Sequence, residues 1–371
     1  MAGRQRLDSQ LSSDHLLGGA LQPKELKVVE DSRSHVAGSK RTGRCVILLI
    51  CAVVLLIALA VTEVRLGAAG LTWDQFFHAY FHYTGTAGDI IVRRLRGPRL
   101  FVAVEVGIAL AVAGTVIQGL TRNPLADPGI LGVNAGAGLF VVIGIGIFGA
   151  RSPYQFVWFA FPGAALAAAV AFFLAAVGKG RATPLKLTLA GVITASIFSA
   201  LTEAVVFLSV AVADDYRFWA VGDVGGRYMN VVYATAPFVL VGLVIALPMG
   251  RALNSLSLGE DVARSLGQRV TLTRLAGVLA VILLAGGSVA AAGPIAFVGL
   301  AVPNAVRSLV GNNYRWILPI AAISGAAFVL GTDIVARLIE RPAEIETGVI
   351  ISAIGAPVFL ILVSRRRLAS A

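Results

Sequence analysis

The sequence has few charged residues and almost no cysteine. Only 14% of its 371 residues are Asp, Glu, Lys or Arg, against about 25% in a soluble domain, while 57% are apolar. This composition excludes an ordinary water-soluble enzyme and indicates a chain embedded in a bilayer. Cys45 and Cys51 lie in one apolar run at a spacing that places them on different faces of a helix. The pair therefore offers neither a disulfide nor a metal site.

Motifs for phosphate or metal binding are also missing. The sequence contains no G-x-x-x-x-G-K-[ST] loop, no H-E-x-x-H and no cysteine pair at metal-ligand spacing. We therefore predict no catalytic residue, no metal site and no cofactor in this chain. If transport here uses ATP, a separate subunit must hydrolyse it.

Long apolar windows with at most one charged residue predict ten membrane-spanning helices, since one crossing takes about 20 apolar residues. The fold class is therefore an all-α polytopic membrane protein, with a disordered polar cytosolic tail over 1–44, a ten-helix transmembrane domain over 45–364 and a basic cytosolic C-terminus over 365–371. The predicted spans are 45–62, 100–121, 128–150, 152–178, 187–213, 228–250, two within 275–310, 316–332 and 347–364.

The distribution of basic residues predicts the topology. An even number of spans places both termini on one side, and most Lys and Arg then fall on that side, which the positive-inside rule identifies as the cytosol. The net charge of +11 favours contact with anionic lipid over nucleic acid. Arg93, Arg94, Arg96 and Arg99 are exceptions on the outer face. They either dock a partner outside or extend to lipid headgroups, and the residues alone favour neither interpretation.

The most polar internal loop, 251–274, lies on the cytosolic side of this topology, and its stretch 253–267 is the candidate coupling region. Leu256, Leu258, Val262 and Leu266 form an amphipathic stretch, and Gly267 is typical of a helix end. Such a helix can lie on the membrane surface or dock in the groove of a partner.

Several polar residues in or near the spans have two interpretations. Glu105, Glu203 and Asp333 could relay protons, or could hydrogen-bond between helices and lie near an interface. His78 and His82 share one helical face in an aromatic segment, so they could bind metal or haem, or could belong to an interfacial aromatic belt.

Longer motifs resemble those of permeases in the FecCD family, which belong to ABC importers for iron–siderophore complexes, haem and vitamin B12. The resemblance covers about residues 90–364. The matching stretches are RGPR at 96–99, QGLTRNPLADPGILG at 118–132, LAGV at 189–192, FW at 218–219 with Gly222, GPIAFVGLAVP at 293–303 and IGAPVF at 354–359.

The resemblance implies a type II ABC importer permease that pairs with a second permease as a homodimer or heterodimer. Two ATPase subunits, which hold ATP and magnesium, would dock inside, and an extracytoplasmic substrate-binding protein would dock outside. It further assigns residues to coupling with the ATPase, to docking of the binding protein and to pathway or structural motifs. The residues for coupling are Leu258, Gly259, Glu260, Asp261, Ala263, Leu266 and Gly267. The residues for docking of the binding protein are Arg96, Arg99 and Arg337. The residues of the pathway or structural motifs are Asn123, Pro124, Pro128, Gly129 and Pro303.

Two positions depart from the family pattern. Asn304 follows Pro303 where histidine is common, and Glu346-Thr347-Gly348 replaces Pro-Val-Gly. The function we expect is import of a ferric siderophore across the inner membrane, with haem or cobalamin as alternative substrates. The alternative from another class is a proton-coupled secondary transporter that uses Glu105 or Glu203.

Overall fold

The computed structural model describes residues 23–65, 73–177, 184–339 and 344–369. The chain divides into two units, 1–47 and 48–371. The sequence predicts a disordered tail over 1–44, but the second half of that tail is helical. The first helix, α1 (Pro23–Arg65), begins at Pro23. Its first turns contain Lys, Glu and Leu, which are good helix formers. Residues 1–22, the rest of that predicted tail, lie outside the described residues.

Helices account for nearly all of the described residues, which contain no strand. The helices that follow α1 are α2 (Trp73–Phe81), α3 (Ala87–Ile90), α4 (Gly97–Thr121), α5 (Val133–Phe148), α6 (Pro153–Ala176), α7 (Pro184–Leu208), α8 (Val210–Val221), α9 (Met229–Ala246), α10 (Gly250–Ser257), α11 (Glu260–Ser265), α12 (Val270–Ala292), α13 (Val298–Val310), α14 (Tyr314–Ile339) and α15 (Thr347–Ala369).

The predicted membrane fold is confirmed. Seven described helical stretches are long and apolar enough to cross a bilayer, and three shorter apolar ones, Val133–Phe148, Val298–Val310 and Thr347–Leu360, occupy the remaining predicted windows. The predicted span 187–213 is wrong in extent. It breaks at Ser209, whose side chain accepts a hydrogen bond from the Val212 amide and caps α8.

The core is formed where α4 crosses α12, α13 and α14. Close contact between these helices depends on glycine. A Cβ on Gly107 would lie 2.4 Å from the Gly325 carbonyl oxygen, and one on Gly114 would lie 2.0 Å from that of Gly299. Small residues permit such backbone contact in a membrane, where lipid provides no hydrophobic force that drives helices together. The ends of α4 and α14 carry the polar residues described next.

Candidate functional site

Two glycines shape the segment that follows α9. Gly259, with φ of +116°, separates α10 from α11, and Gly267, with φ of +79°, follows α11. A side chain rarely adopts these backbone angles, so both turns require glycine. Leu253, Leu256 and Ala263 are buried and hold the segment against the bundle. We call residues 250–267 the coupling segment.

Apolar side chains of the coupling segment also face outward. Leu258, Val262 and Leu266 are exposed by 66%, 43% and 64%. The amphipathic interpretation therefore needs one correction, because Leu256 is buried in the bundle and does not share their exposed face. Exposed leucines beside one another are typical of a surface that a partner or lipid covers.

Ion pairs hold α11 in place. The Glu260 carboxylate accepts hydrogen bonds from Arg264, at 3.0 Å, and from Arg274 on α12. Asp261 is fully exposed and pairs with Arg264 at 3.2 Å. Glu260 thus joins α11 to α12, whereas the Asp261 carboxylate stays exposed on the surface of α11.

The two longest sequence motifs meet at this end of the bundle. Pro303 lies inside α13 and has no amide hydrogen, so the helix leaves the Gly299 carbonyl without its usual donor. Gln118 Nε2 donates to that carbonyl at 3.0 Å, and Gln118 Oε1 accepts from Arg307 at 3.1 Å. The side chain of Gln118 therefore joins α4 to α13 at the point where proline interrupts the helix.

Asn304 reinforces the same junction. Its Nδ2 donates to the carbonyls of Pro124 and Leu300, both at 2.7 Å, and its Oδ1 accepts from Arg307 at 3.2 Å. Asn304 stands where the family commonly has histidine, and its side-chain amide suits this position because two backbone carbonyls lie within hydrogen-bond distance of it. An open cavity of about 470 Å³ lies beside the junction and extends to Ser257 and Leu258 of the coupling segment.

The remaining motif residues shape the loop between α4 and α5. The Asn123 side chain accepts from the Leu125 amide at 3.0 Å, and the Asp127 side chain accepts from the Gly129 amide at 2.9 Å. Burial raises the pKa of Asp127, and the Gly129 hydrogen bond opposes that rise. Pro128 begins a short 3₁₀ helix and packs against Gly299, where a Cβ would lie 2.7 Å from its Cδ. These residues therefore form one structural junction.

At the opposite end of α4, a buried ion network replaces the exposed arginines that the sequence interpretation assumed. Arg99 Nε and Nη2 donate to the two oxygens of Asp333, each at 2.8 Å, and Arg99 Nη1 donates to Glu344 at 2.5 Å. Arg337 pairs with Glu63 and lies 3.5 Å from Asp333. Arg96 donates to the carbonyls of Val64 and Arg65. We call these side chains the buried network.

The docking role expected for Arg96, Arg99 and Arg337 assumed that their side chains are exposed, and that assumption is wrong. They are exposed by only 6%, 8% and 6%. The physical reason is that the fully buried carboxylates of Glu63 and Asp333 supply negative charge beside Arg99 and Arg337. Arg96 is instead held by two backbone carbonyls near the end of α1. Sequence reasoning missed Glu63 and Glu344, and the one signal for Glu63 was a carboxylate directly after an apolar span.

Thr347 extends the buried network to a further loop. Its hydroxyl lies 2.7 Å from Asp333 Oδ1 and 3.0 Å from Asp223 Oδ1, and its amide donates to Asp223 at 3.2 Å. The next residue, Gly348, donates its amide to the Gly222 carbonyl at 3.0 Å. The valine of the family pattern has no hydroxyl for these contacts, so the departure at Thr347 adds a polar link.

The other singled-out polar residues are separate. His78 Nδ1 lies 3.0 Å from Asp89, which also accepts from the amides of Thr84 and Thr86. Across the described residues, no group of three or more His, Cys, Asp or Glu is placed to hold a metal ion. Glu105 is buried within the bundle, whereas Glu203 is exposed on α7.

Comparison with known proteins agrees with this architecture. A family model described as the FecCD transport family matches residues 50–365. The probable siderophore transport system permease protein YfiZ of Bacillus subtilis is 41% identical over 319 residues, which cover 86% of this chain and 96% of that protein. The ferric enterobactin transport system permease protein FepD of Escherichia coli is 41% identical over 312 residues, covering 84% and 93%.

A solved structure shows the same fold. It is a metal-chelate type ABC transporter in an inward-facing conformation, and it superposes with a TM-score of 0.74 at 29% identity. The superposition covers 86% of this chain and 99% of that one.

Proposed function

The chain belongs to the FecCD transport family, and from this premise we propose that it imports a ferric siderophore. It is a multi-pass membrane permease of the ABC importer type. In the proposal, an extracytoplasmic binding protein delivers the chelate and two ATPase subunits, which hold ATP and magnesium, drive the cycle. A second permease, identical or different, completes the pathway. Both termini face the cytosol.

The observation that carries the ATP-driven part of the proposal is the shape of the coupling segment. Its inner side is buried, its α11 is held by Glu260, and its outer side presents Leu258, Val262 and Leu266. A rigid support below an exposed apolar surface suits a helix that fits a groove on a partner. ATP binding would move that partner and thereby shift the permease between outward and inward openings.

The choice of a ferric siderophore is supported by the relatives. Two proteins at 41% identity are named for siderophore and ferric enterobactin transport. Haem and cobalamin are the alternative substrates, and a test with all three chelates decides between them.

We propose a different residue for docking of the binding protein than the arginines that the resemblance implies. Arg99 and Arg337 are held by buried carboxylates, so neither is a surface group of the folded chain. We therefore assign the docking contact to Arg94, which is exposed and forms no ion pair with another described residue. Arg93 beside it is held by the Ala79 carbonyl at 2.5 Å.

The first experiment isolates the tagged chain in gentle detergent and identifies its companions by mass spectrometry. We expect a stoichiometric ATPase subunit and ATP-dependent uptake of ferric siderophore after reconstitution in liposomes. Uptake by the chain alone without ATP would contradict the proposal and support the proton-coupled alternative.

A glycine substitution tests the coupling segment directly. No atom lies within 4 Å of a Cβ placed on Gly259, so Gly259→Trp would disturb a docked partner more than the bundle. We expect uptake to be abolished while the permease stays inserted. Gly149→Trp is the matched control, because Gly149 also has positive φ, of +66°, and equally open surroundings. Normal uptake with Gly259→Trp, or equal loss in the control, would contradict the assignment.

A further inference from the structure

One membrane-spanning helix is exposed along most of its length and carries a charge on its exposed side. Only 17% of the apolar window of α7 is buried, against 78% of the window that contains α4. Glu203 lies five residues before the end of α7, about 7 to 8 Å along the axis. A carboxylate at this depth is costly in hydrocarbon, so it should face water or another protein surface.

Glu203 is not isolated on that surface. Ser196 and Ser199 are also exposed, and the spacings of three, four and seven residues place them with Glu203 on one face of the helix. A cavity of about 200 Å³ adjoins this face and is lined by Ser199, Thr202, Glu203 and Tyr216. We call Ser196, Ser199 and Glu203 the polar stripe.

Among the described residues the Glu203 carboxylate has no ion-pair partner, unlike its charged neighbours on α8. Asp214 lies 3.4 Å from Arg217, and Asp215 lies 2.5 Å from Arg151. The negative charge of Glu203 is therefore available to a ligand that binds at this surface. A positively charged group is the complementary ligand.

We propose that the polar stripe lines the substrate pathway and that Glu203 binds a positively charged group on the ferric chelate. The inference rests on the proposed function and makes its substrate class narrower. Three hydroxamates neutralise ferric iron, so an ammonium group on such a siderophore leaves the complex positive. Three catecholates give a complex with three negative charges, which Glu203 repels. The favoured substrate is thus a trihydroxamate chelate that carries an ammonium group.

Thiol labelling tests whether the polar stripe meets water. In a chain with Cys45→Ser and Cys51→Ser, Ser196→Cys and Ser199→Cys should react with a membrane-impermeant cationic methanethiosulfonate in the assembled importer. Leu201→Cys is the matched control, since Leu201 is 49% exposed on another face of the same helix and should face lipid. Protection of both stripe cysteines, through lipid or a sealed protein interface, would overturn the proposal.

Uptake selectivity tests the role of Glu203. In liposomes containing the complete importer, Glu203→Gln should lower kcat/KM for an ammonium-bearing ferric trihydroxamate at least fivefold relative to a neutral one. Asp214→Asn is the control and should leave that ratio unchanged. An unchanged ratio in Glu203→Gln would overturn the proposal. If the wild-type importer carries no ferric chelate at all, the proposed function fails, while labelling still reports whether the stripe is wet.

Discussion

The two ends of α4 use charged and apolar residues in opposite ways. At the Arg99 end, charges are buried and paired with one another, as Arg99 with Asp333 and Arg337 with Glu63. At the other end, beside Gln118, the coupling segment keeps apolar Leu258 exposed. One end thus buries charged side chains, which are ordinarily exposed, and the other exposes an apolar side chain, which is ordinarily buried.

The difference separates residues that hold the fold from residues that need a partner. A buried ion pair has its counter-charge within the chain, so its loss should weaken the isolated permease. An exposed leucine contributes little to the isolated chain, so its loss should be felt only in the complex. Four changes, from the largest expected effect to the smallest, test this separation.

The largest effect is expected from Asp333→Ala. It leaves the buried guanidinium of Arg99 without its bidentate acceptor, which costs about 3–5 kcal/mol for a buried pair broken on one side. Thermal unfolding in detergent should show a markedly lower midpoint. Asp261→Ala, at a fully exposed carboxylate of the coupling segment, is the control and should not change the midpoint. Equal midpoints for both variants would remove the distinction between the two ends.

The next effect belongs to the exposed end. Leu258→Asp with Leu266→Asp should reduce association with the ATPase more than tenfold, as expected when central apolar contacts are lost. The midpoint of thermal unfolding of the purified permease should stay unchanged. Leu253→Ala, at a buried leucine of the same segment, should instead lower that midpoint. Undiminished association in the double variant would show that another surface binds the ATPase.

A smaller loss of stability is expected from Thr347→Val, which introduces the residue of the family pattern. It removes the hydroxyl that lies between Asp333 and Asp223, at a cost of about 1–3 kcal/mol. Denaturant or thermal unfolding of the purified chain measures this loss of stability. Thr62→Val is the control, because the exposed Thr62 hydroxyl donates to the Ala58 carbonyl of its own helix and so does not join two helices. A more stable Thr347→Val variant would show that the threonine serves something other than stability.

The smallest effect is expected from Arg94→Glu. An exposed ion pair contributes about 1 kcal/mol or less, so affinity for the binding protein should fall by less than about tenfold. The loss should shrink as salt is raised, because exposed charges are screened. Titration of labelled binding protein at two salt concentrations measures both. An effect that is equally large at high salt would place Arg94 in a buried contact instead.

Hydropathy and local motifs predicted much of the molecule. Apolar windows with little charge located the seven long and three short apolar helices of the described residues, because the bilayer sets a minimum apolar length for each crossing. The long motifs at 118–132 and 293–303 pointed to the correct family and proved to meet in space through Gln118 and Gly299. The break at Ser209 was missed, since the residues on either side of it are equally apolar.

The role of each charge could not be predicted in the same way. Arg99 and Asp333 are separated by 234 positions, and no local pattern indicates that they pair. Positive charge outside a span suggested an exposed surface, but Glu63 and Asp333 lie close enough to bury it. Glu105 and Glu203 looked equivalent as acids within spans, yet one is buried and the other exposed.

The sequence by itself determined that this protein is a many-helix membrane permease of one family, because apolar length and local motifs need no knowledge of contacts. The tertiary structure alone decided which charges bond inside the chain and which residues face outward. That decision depends on how α4, α14 and α15 meet at one end and how Gly259 turns the chain at the other, and such contacts join residues far apart in the sequence.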